Sequence, residues 1–222
     1  MLEFLDKVRE EIDIPNFFLI VPDIPEDVYW KEIVESSKEI KCEYIEGRIF
    51  MSHSVRPIHD DITTFMSFLL KGYVAKKKLG GNVYGGGNVL VKFSSKVKFQ
   101  PDIFYISEKR LEKQIKQEYV EAPIELVIEV ISPTYPEHDK VTKLKKYEKY
   151  DVPEYIWIDP HEQELRHHIL SEKGKYEWQS YKEGKIFLKT LKGFWICTEW
   201  FWKNPIPNAM EILEAILLGA NV

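Results

Sequence analysis

The sequence predicts an α/β domain in which a mixed sheet is flanked by helices and followed by an antiparallel C-terminal extension. Three observations carry that reading. Residues Glu125–Ile131 form a short run, rich in β-branched residues and apolar on both faces, as in a central strand covered on both sides. Between Ile58 and Leu79, the apolar positions Ile58, Ile62, Phe65, Met66, Leu69, Leu70 and Tyr73 recur at helical spacing. Later, the alternating stretches Glu164–Leu170, Tyr176–Tyr181 and Lys185–Leu188 are separated by Gly174 and Gly184, the pattern of a meander.

In chain order, residues 1–40 read as an N-terminal helical appendage and residues 41–222 as the main domain. The appendage reads as a short helix, a link punctuated by Pro15, Pro22 and Pro25, and a second helix near Val28–Ser36. Its apolar residues Phe4, Leu5, Phe17, Phe18, Leu19 and Ile20 call for cover from the body or from a partner chain, because exposed patches of that size are rare. Glu43–Met51 reads as a hairpin turning at Glu46-Gly47, and Gly80-Gly81 stops the long helix. Short strands are expected near Val83-Tyr84, Val89–Phe93 and Ile103–Ile106. His138–Tyr150 has helical character, with Pro153 just beyond its end. Tyr155–Ile158 reads as another buried strand, and Met210–Leu218 as a terminal helix.

The chain has 222 residues, of which 44% are hydrophobic and 14% aromatic, enough for a sizeable core and against disorder. No run approaches the length of a membrane-spanning helix. Met1–Lys7 lacks a basic segment leading into an apolar one, so no secretory signal is expected. Cys42 and Cys197 suggest neither a disulfide framework nor a zinc spacing, and a reducing cytoplasm is the expected setting. The net charge of -5 argues against coating DNA through bulk positive charge. Residues 1–42 hold 11 Asp/Glu against 5 Lys/Arg, so the acidity is concentrated there and the rest is near neutral.

Two apolar runs carry a carboxylate, which is costly to bury unless paired or bound to a metal. Glu129 shares one strand face with Glu125, Val127 and Ile131, and Asp102 follows Pro101 at the start of its strand. If the two strands are antiparallel neighbours, the carboxylates approach each other and repel unless a cation lies between them. Mg²⁺ suits such oxygen ligands, with Mn²⁺ as a substitute. The plainer alternative is that Asp102 caps a turn and Glu129 pairs with a lysine. Asp139, Lys143 and Tyr147 follow at four-residue spacing and share a helix face. Lys143 could therefore reach back over the Glu129 strand to meet charge developing on a phosphate, or simply pair with Asp139 on the surface.

Other candidates are weaker. Gly85-Gly86-Gly87-Asn88 lacks a following Gly-Lys-Ser/Thr and reads as a turn. His53 and His59 lack a His-Glu-x-x-His spacing and cysteine partners. His167 and His168 point to opposite faces of their strand. Ser132 lacks a Gly-x-Ser-x-Gly elbow and reads as a turn residue.

Taken together, residues 43–160 resemble the Uma-two (Uma2) family of restriction endonuclease-like proteins within the PD-(D/E)XK nuclease superfamily. The resemblance rests on Glu43–Gly47, His59, Pro101-Asp102, Glu125–Pro133, Asp139, Lys143, Tyr147, Val152–Tyr155 and Asp159-Pro160. It implies the restriction endonuclease-like fold and a Mg²⁺-dependent DNA nuclease. Asp102 and Glu129 would be metal ligands, with Glu43 resembling the first acidic residue of the site. The superfamily's usual lysine position is Ile131 here, and the resemblance places Lys143 in its stead. A homodimer is the expected assembly for cutting two strands. The competing expectation is a catalytically silent nuclease-fold module for protein or nucleic-acid interaction, favoured by the lack of an obvious basic duplex-binding surface.

Overall fold

The computed structural model describes residues 18–35, 41–52 and 56–219. The first expected helix, Phe4, Leu5, Phe17 and His53 lie outside them. Strand β1 (Phe18–Val21) replaces part of the expected proline-punctuated link, and helix α1 (Glu26–Tyr29) continues into a wider turn, Trp30–Val34. The hairpin β2 (Cys42–Ile45) and β3 (Arg48–Ser52) turns at Glu46-Gly47 as the sequence suggests. Both turn residues have positive φ, a conformation easiest for glycine. β1 pairs antiparallel with β3. Ile24, Tyr29 and Ile33 then bury against Cys42, Tyr44, Ile49 and Met51, with Leu19 packed beside them and Ile20 exposed.

The long helix α2 (Pro57–Lys77) follows, with Pro57 at its first turn, where a missing N–H costs nothing. Next come β4 (Asn82–Gly85), β5 (Val91–Ser94), β6 (Val97–Phe99) and β7 (Ile103–Ile106). Helix α3 (Glu108–Gln114) and strand β8 (Val120–Glu121) separate these from β9 (Leu126–Val130). None of α3 is buried, which is why no apolar periodicity announced it. A wide helical turn, His138–Lys143, runs into helix α4 (Leu144–Lys149), then β10 (Glu154–Asp159), β11 (Glu164–Leu170) and β12 (Tyr176–Tyr181).

The strands form two six-stranded mixed sheets. One has the order β1-β3-β2-β6-β5-β8 and the other β12-β11-β10-β9-β7-β4. The chain moves between the sheets more than once, and one passage from the first to the second runs across Gln100, Pro101 and Asp102, between β6 and β7. β9 is covered on both faces, as its composition predicts. Leu126, Ile128 and Val130 join the core built on α2, while Val127 and Ile131 join a second core with Phe99, Tyr147 and Trp157. β9 and β10 are parallel, and α4 lies in the connection between them.

The C-terminal extension departs from the expected meander after β12. Strand β13 (Lys185–Phe187) pairs with β14 (Trp195–Cys197) in a separate ribbon. Ile186, Leu188, Phe194 and Trp195 are apolar and bury against the α2 core, whereas β12 is mostly exposed. A short turn, Thr198–Trp202, and helix α5 (Ala209–Leu218) close the α2 side.

Within β11 the two histidines do point to opposite faces. His167 Nε2 meets Glu154 Oε1 at 2.6 Å, while His168 is buried between the Tyr155 and Tyr176 rings. Burial pushes His168 down to about 4, because the charged imidazolium loses hydration. In the unfolded chain it titrates near 6.5. Its folded value is the lower one, so its contribution is fully present above pH 6.5 and is lost as pH falls toward 4. Unfolding free energy should fall by about 3 kcal/mol over that window. Urea titrations at several pH values check this, and His168→Phe should flatten that part of the profile.

Candidate active site

Three separate parts of the chain deliver carboxylates to one buried place where the sheets meet. β2 is buried along its length and turns Glu43 inward, where Glu43 Oε1 accepts from the Gln100 backbone N–H at 2.9 Å. Gln100 Oε1 in turn accepts from Cys42 N at 2.6 Å. Asp102 stands at the crossing between sheets. Its carbonyl accepts from Gly86 N and Gly87 N at 3.0 and 3.3 Å, tying the glycine turn beneath it. β7 and β9 are antiparallel neighbours with Ile103 opposite Ile128, so Asp102 lies beside Glu129. Asp102 N donates to Glu129 Oε2 at 3.1 Å, and Val130 N donates to Asp102 Oδ2 at 2.9 Å. Asp102 and Glu129 are 3% and 0% exposed, so water does little to separate their charges.

Lys143 projects from the wide turn before α4 into the middle of these groups. Its ammonium lies 2.9 Å from Glu43 Oε1, 3.0 Å from Glu129 Oε1 and 3.0 Å from Asp139 Oδ1. Lys143 does pair with Asp139, yet its side chain is only 2% exposed, so the contact is no surface ion pair. An ammonium has three N–H donors, and these three carboxylates occupy them. Tyr147, one turn further on, donates its hydroxyl to Glu129 Oε1 at 2.8 Å. The common face of Asp139, Lys143 and Tyr147 therefore lies against the end of β9.

Three further residues join the cluster. Lys41 Nζ lies 2.7 Å from Asp102 Oδ1. His59, from the first turns of α2, meets Asp102 Oδ2 at 3.0 Å through Nε2. His138 Nε2 meets Glu43 Oε2 at 2.6 Å, with its ring stacked on Phe50. Sequence reasoning missed Lys41 and His138 as site residues and gave His59 too little weight. A signal existed for two of them. His59 shares the inward helix face of Ile62 and Met66. Lys41 lies two residues from Glu43, on the same side of an extended chain. His138 carried no recognisable spacing.

The electrostatics follow from burial and pairing. Burial raises the Asp102 carboxyl, but Lys41 and His59 more than reverse this and hold it well below the usual carboxylate range. Burial likewise opposes ionisation of Glu43, and Lys143 with His138 outweighs it, bringing Glu43 down to about 2. Glu129 behaves oppositely. Burial and the neighbouring Asp102 and Asp139 charges overcome Lys143 and lift it to about 8. Burial pulls the Lys143 ammonium down, yet Asp139, Glu129 and Glu43 carry it well above its ordinary value. With Glu129 protonated, the carboxylates of Glu43, Asp102 and Asp139 still face only two lysines, Lys41 and Lys143, and ionising Glu129 leaves the cluster further short of positive charge when its histidines are neutral.

Among the described residues, no group of three or more His, Cys, Asp or Glu side chains is arranged as a ready-made metal site. The donor set nevertheless fits a divalent cation in chemistry. Carboxylate oxygens are hard ligands of the kind Mg²⁺ takes, and the charge shortfall calls for a cation. Asp102 Oδ1 already holds one cationic group, the Lys41 ammonium. Asp102 and Glu129 are the residues that would hold the ion.

Two mixed sheets, flanking helices and an acidic cluster at the crossing between the sheets define a restriction endonuclease-like protein. The chain belongs to the Uma2 family, described as "Putative restriction endonuclease", whose match covers residues 30–199. Its fold is similar to the crystal structure of a "putative nuclease belonging to DUF820" from Anabaena variabilis ATCC 29413. That likeness has a TM-score of 0.66 at 16% identity and covers 81% of this chain and 97% of the other. No curated protein matches the chain.

The saturation of Lys143 by carboxylates makes it a test of the whole cluster. Lys143→Met should destabilise the protein by about 3–5 kcal/mol, because it strands buried carboxylates without their cation. Combining it with Glu129→Gln should recover part of the loss by removing one of those charges. Urea unfolding of the single and double variants measures both effects. Additive losses would contradict the coupling.

Proposed function

We propose that this chain is a Mg²⁺-dependent nuclease that hydrolyses phosphodiester bonds in DNA, with Mn²⁺ as a substitute ion. The convergence of Asp102, Glu129, Glu43 and Lys143 from two sheets and a helix on one buried point carries this reading. Asp102 and Glu129 are its proposed metal ligands. When bound, the ion supplies Lewis-acid polarisation of the phosphoryl group.

The chain's own residues do the positioning. Lys143 holds Glu43, Glu129 and Asp139 in one place, and Tyr147 fixes the Glu129 rotamer. His59 and Val130 N orient Asp102 from one oxygen, leaving Oδ1 to face a cation. Membership of a family described as "Putative restriction endonuclease" supports DNA as the substrate. A homodimer acting in the cytoplasm completes the proposal, since cutting two strands takes two sites.

One observation favours a second reading, a catalytically silent nuclease-fold module. Every carboxylate oxygen of Asp102 and Glu129 already accepts a hydrogen bond or ion pair from the protein. On that reading the cluster is a structural core. Cleavage of single- and double-stranded DNA with Mg²⁺ or Mn²⁺ separates the two. The nuclease reading expects cutting that stops with a chelator. It also expects Glu129→Gln and Asp102→Asn to weaken Mn²⁺ binding seen by calorimetry and, through loss of the ion's charge stabilisation, to reduce the rate by at least about a hundredfold. A folded wild type that neither binds Mn²⁺ nor cuts any DNA form would establish the module.

A further inference from the structure

Resting on the nuclease reading, we infer that Lys41, rather than Lys143, is the lysine that contacts the scissile phosphate, and that Lys143 is a positioning residue. The two ammonium groups differ in what they have left to give. Lys143 is 2% exposed, and its three donors meet Glu43, Glu129 and Asp139. Turning it onto a phosphate would strip a buried carboxylate of its cation, a costly exchange.

Lys41 is placed differently. Its side chain is 22% exposed, the more open of the two lysines, and Asp102 Oδ1 is the acceptor the structure gives it among the described residues. Among the described residues, its other two N–H donors meet no acceptor. Beside it lies Gly87, in the left-handed region at φ +67°. A Cβ there would stand 3.2 Å from Lys41 Nζ and 3.3 Å from Asp102 Oδ1. The missing side chain keeps that flank of the ammonium and the carboxylate uncrowded.

Lys41 also pairs with Asp102, one of the two residues that would hold the ion. Were Asp102 to hold a divalent ion, Lys41, on its flexible four-carbon stem, would be left beside it with its ammonium within reach of a non-bridging phosphate oxygen. In the free protein Asp102 holds Lys41 beside the position a phosphate would take. A phosphodiester, with charge on its non-bridging oxygens, matches this ammonium in sign and in hydrogen-bonding chemistry.

The test uses the full chain with Lys41→Met, Lys41→Arg and Lys143→Met. DNA cleavage is measured with Mn²⁺, and binding to a short DNA duplex is measured with Ca²⁺ at several salt concentrations. Lys41→Met should lower cleavage by about a hundredfold or more, and Lys41→Arg should restore most of it. Lys41→Met should also reduce the salt slope of binding by about one counterion, as loss of one phosphate contact does. Lys143→Met should leave that slope unchanged even where it abolishes cutting. If Lys41→Met does not fold, Lys41→Gln, which keeps a hydrogen-bond donor on Asp102, takes its place. A wild type that cuts DNA while Lys41→Met cuts equally well would overturn the role of Lys41 and leave the nuclease intact. A wild type that binds but does not cut would overturn the nuclease reading, and the slope would still judge Lys41. An unchanged slope, or no binding by the wild type, would overturn the inference.

Discussion

Lys143 is the charge around which this fold is assembled. Its ammonium is buried among Glu43 on the first sheet, Glu129 on the second, and Asp139 on its own helical turn. An isolated buried charge costs several kcal/mol, and so does each carboxylate that meets it. Only when all four converge do their attractions offset that cost. The contact joins residues about 100 positions apart in the chain, so the two sheets cannot drift independently without exposing an unpaired charge.

The local structure is arranged to make that convergence possible. The crossing at Asp102 brings the end of β6 against the start of β7, and the backbone groups of Asp102 and Val130 lace β7 to β9 through side-chain oxygens. Gly86 and Gly87, both with positive φ, let two consecutive N–H groups reach the Asp102 carbonyl. On the far face, α2 packs its apolar stripe against Leu126, Ile128 and Val130 and carries His59 to Asp102. Apolar packing therefore fixes the strand, and the strand fixes the acid. The difference between Asp102, held ionised by Lys41 and His59, and Glu129, lifted to about 8, shows how neighbours set opposite tendencies for two carboxylates in one cluster.

Much of this was legible in the sequence because it rests on periodicity and on carboxylates out of place. The doubly apolar run at Glu125–Ile131, the helical stripe from Ile58 and the turn at Glu46-Gly47 each have a local cause, and each element formed where that cause lies. Asp102 and Glu129 stood out because charge inside an apolar strand demands a partner. The identity of the partners was less legible. Lys41 stands just before its strand and His138 at the first position of its helical segment, where periodicity does not single out a residue, and tertiary contact brings them in. The ribbon of β13 and β14 was misread as a continuing meander because alternation reveals a strand but not its neighbour. The exposed helix α3, held by no buried side chain, left no periodic trace at all.

The order in which these charges occur along the chain has a consequence for synthesis. A ribosome produces Glu43, Asp102 and Glu129 before it produces Lys143, and domains begin to organise as they emerge. Until the turn bearing Asp139 and Lys143 has left the exit tunnel, the nascent chain holds its acids without their central counter-ion. Glu43 and Glu129 then lack the ammonium that bridges them, and the strands of the second sheet beyond β9 have yet to be made. Completion of the acidic cluster is thereby deferred to the later part of translation, and a chain interrupted before His138 contains Glu43, Asp102 and Glu129 but neither Asp139 nor the lysine that gathers them.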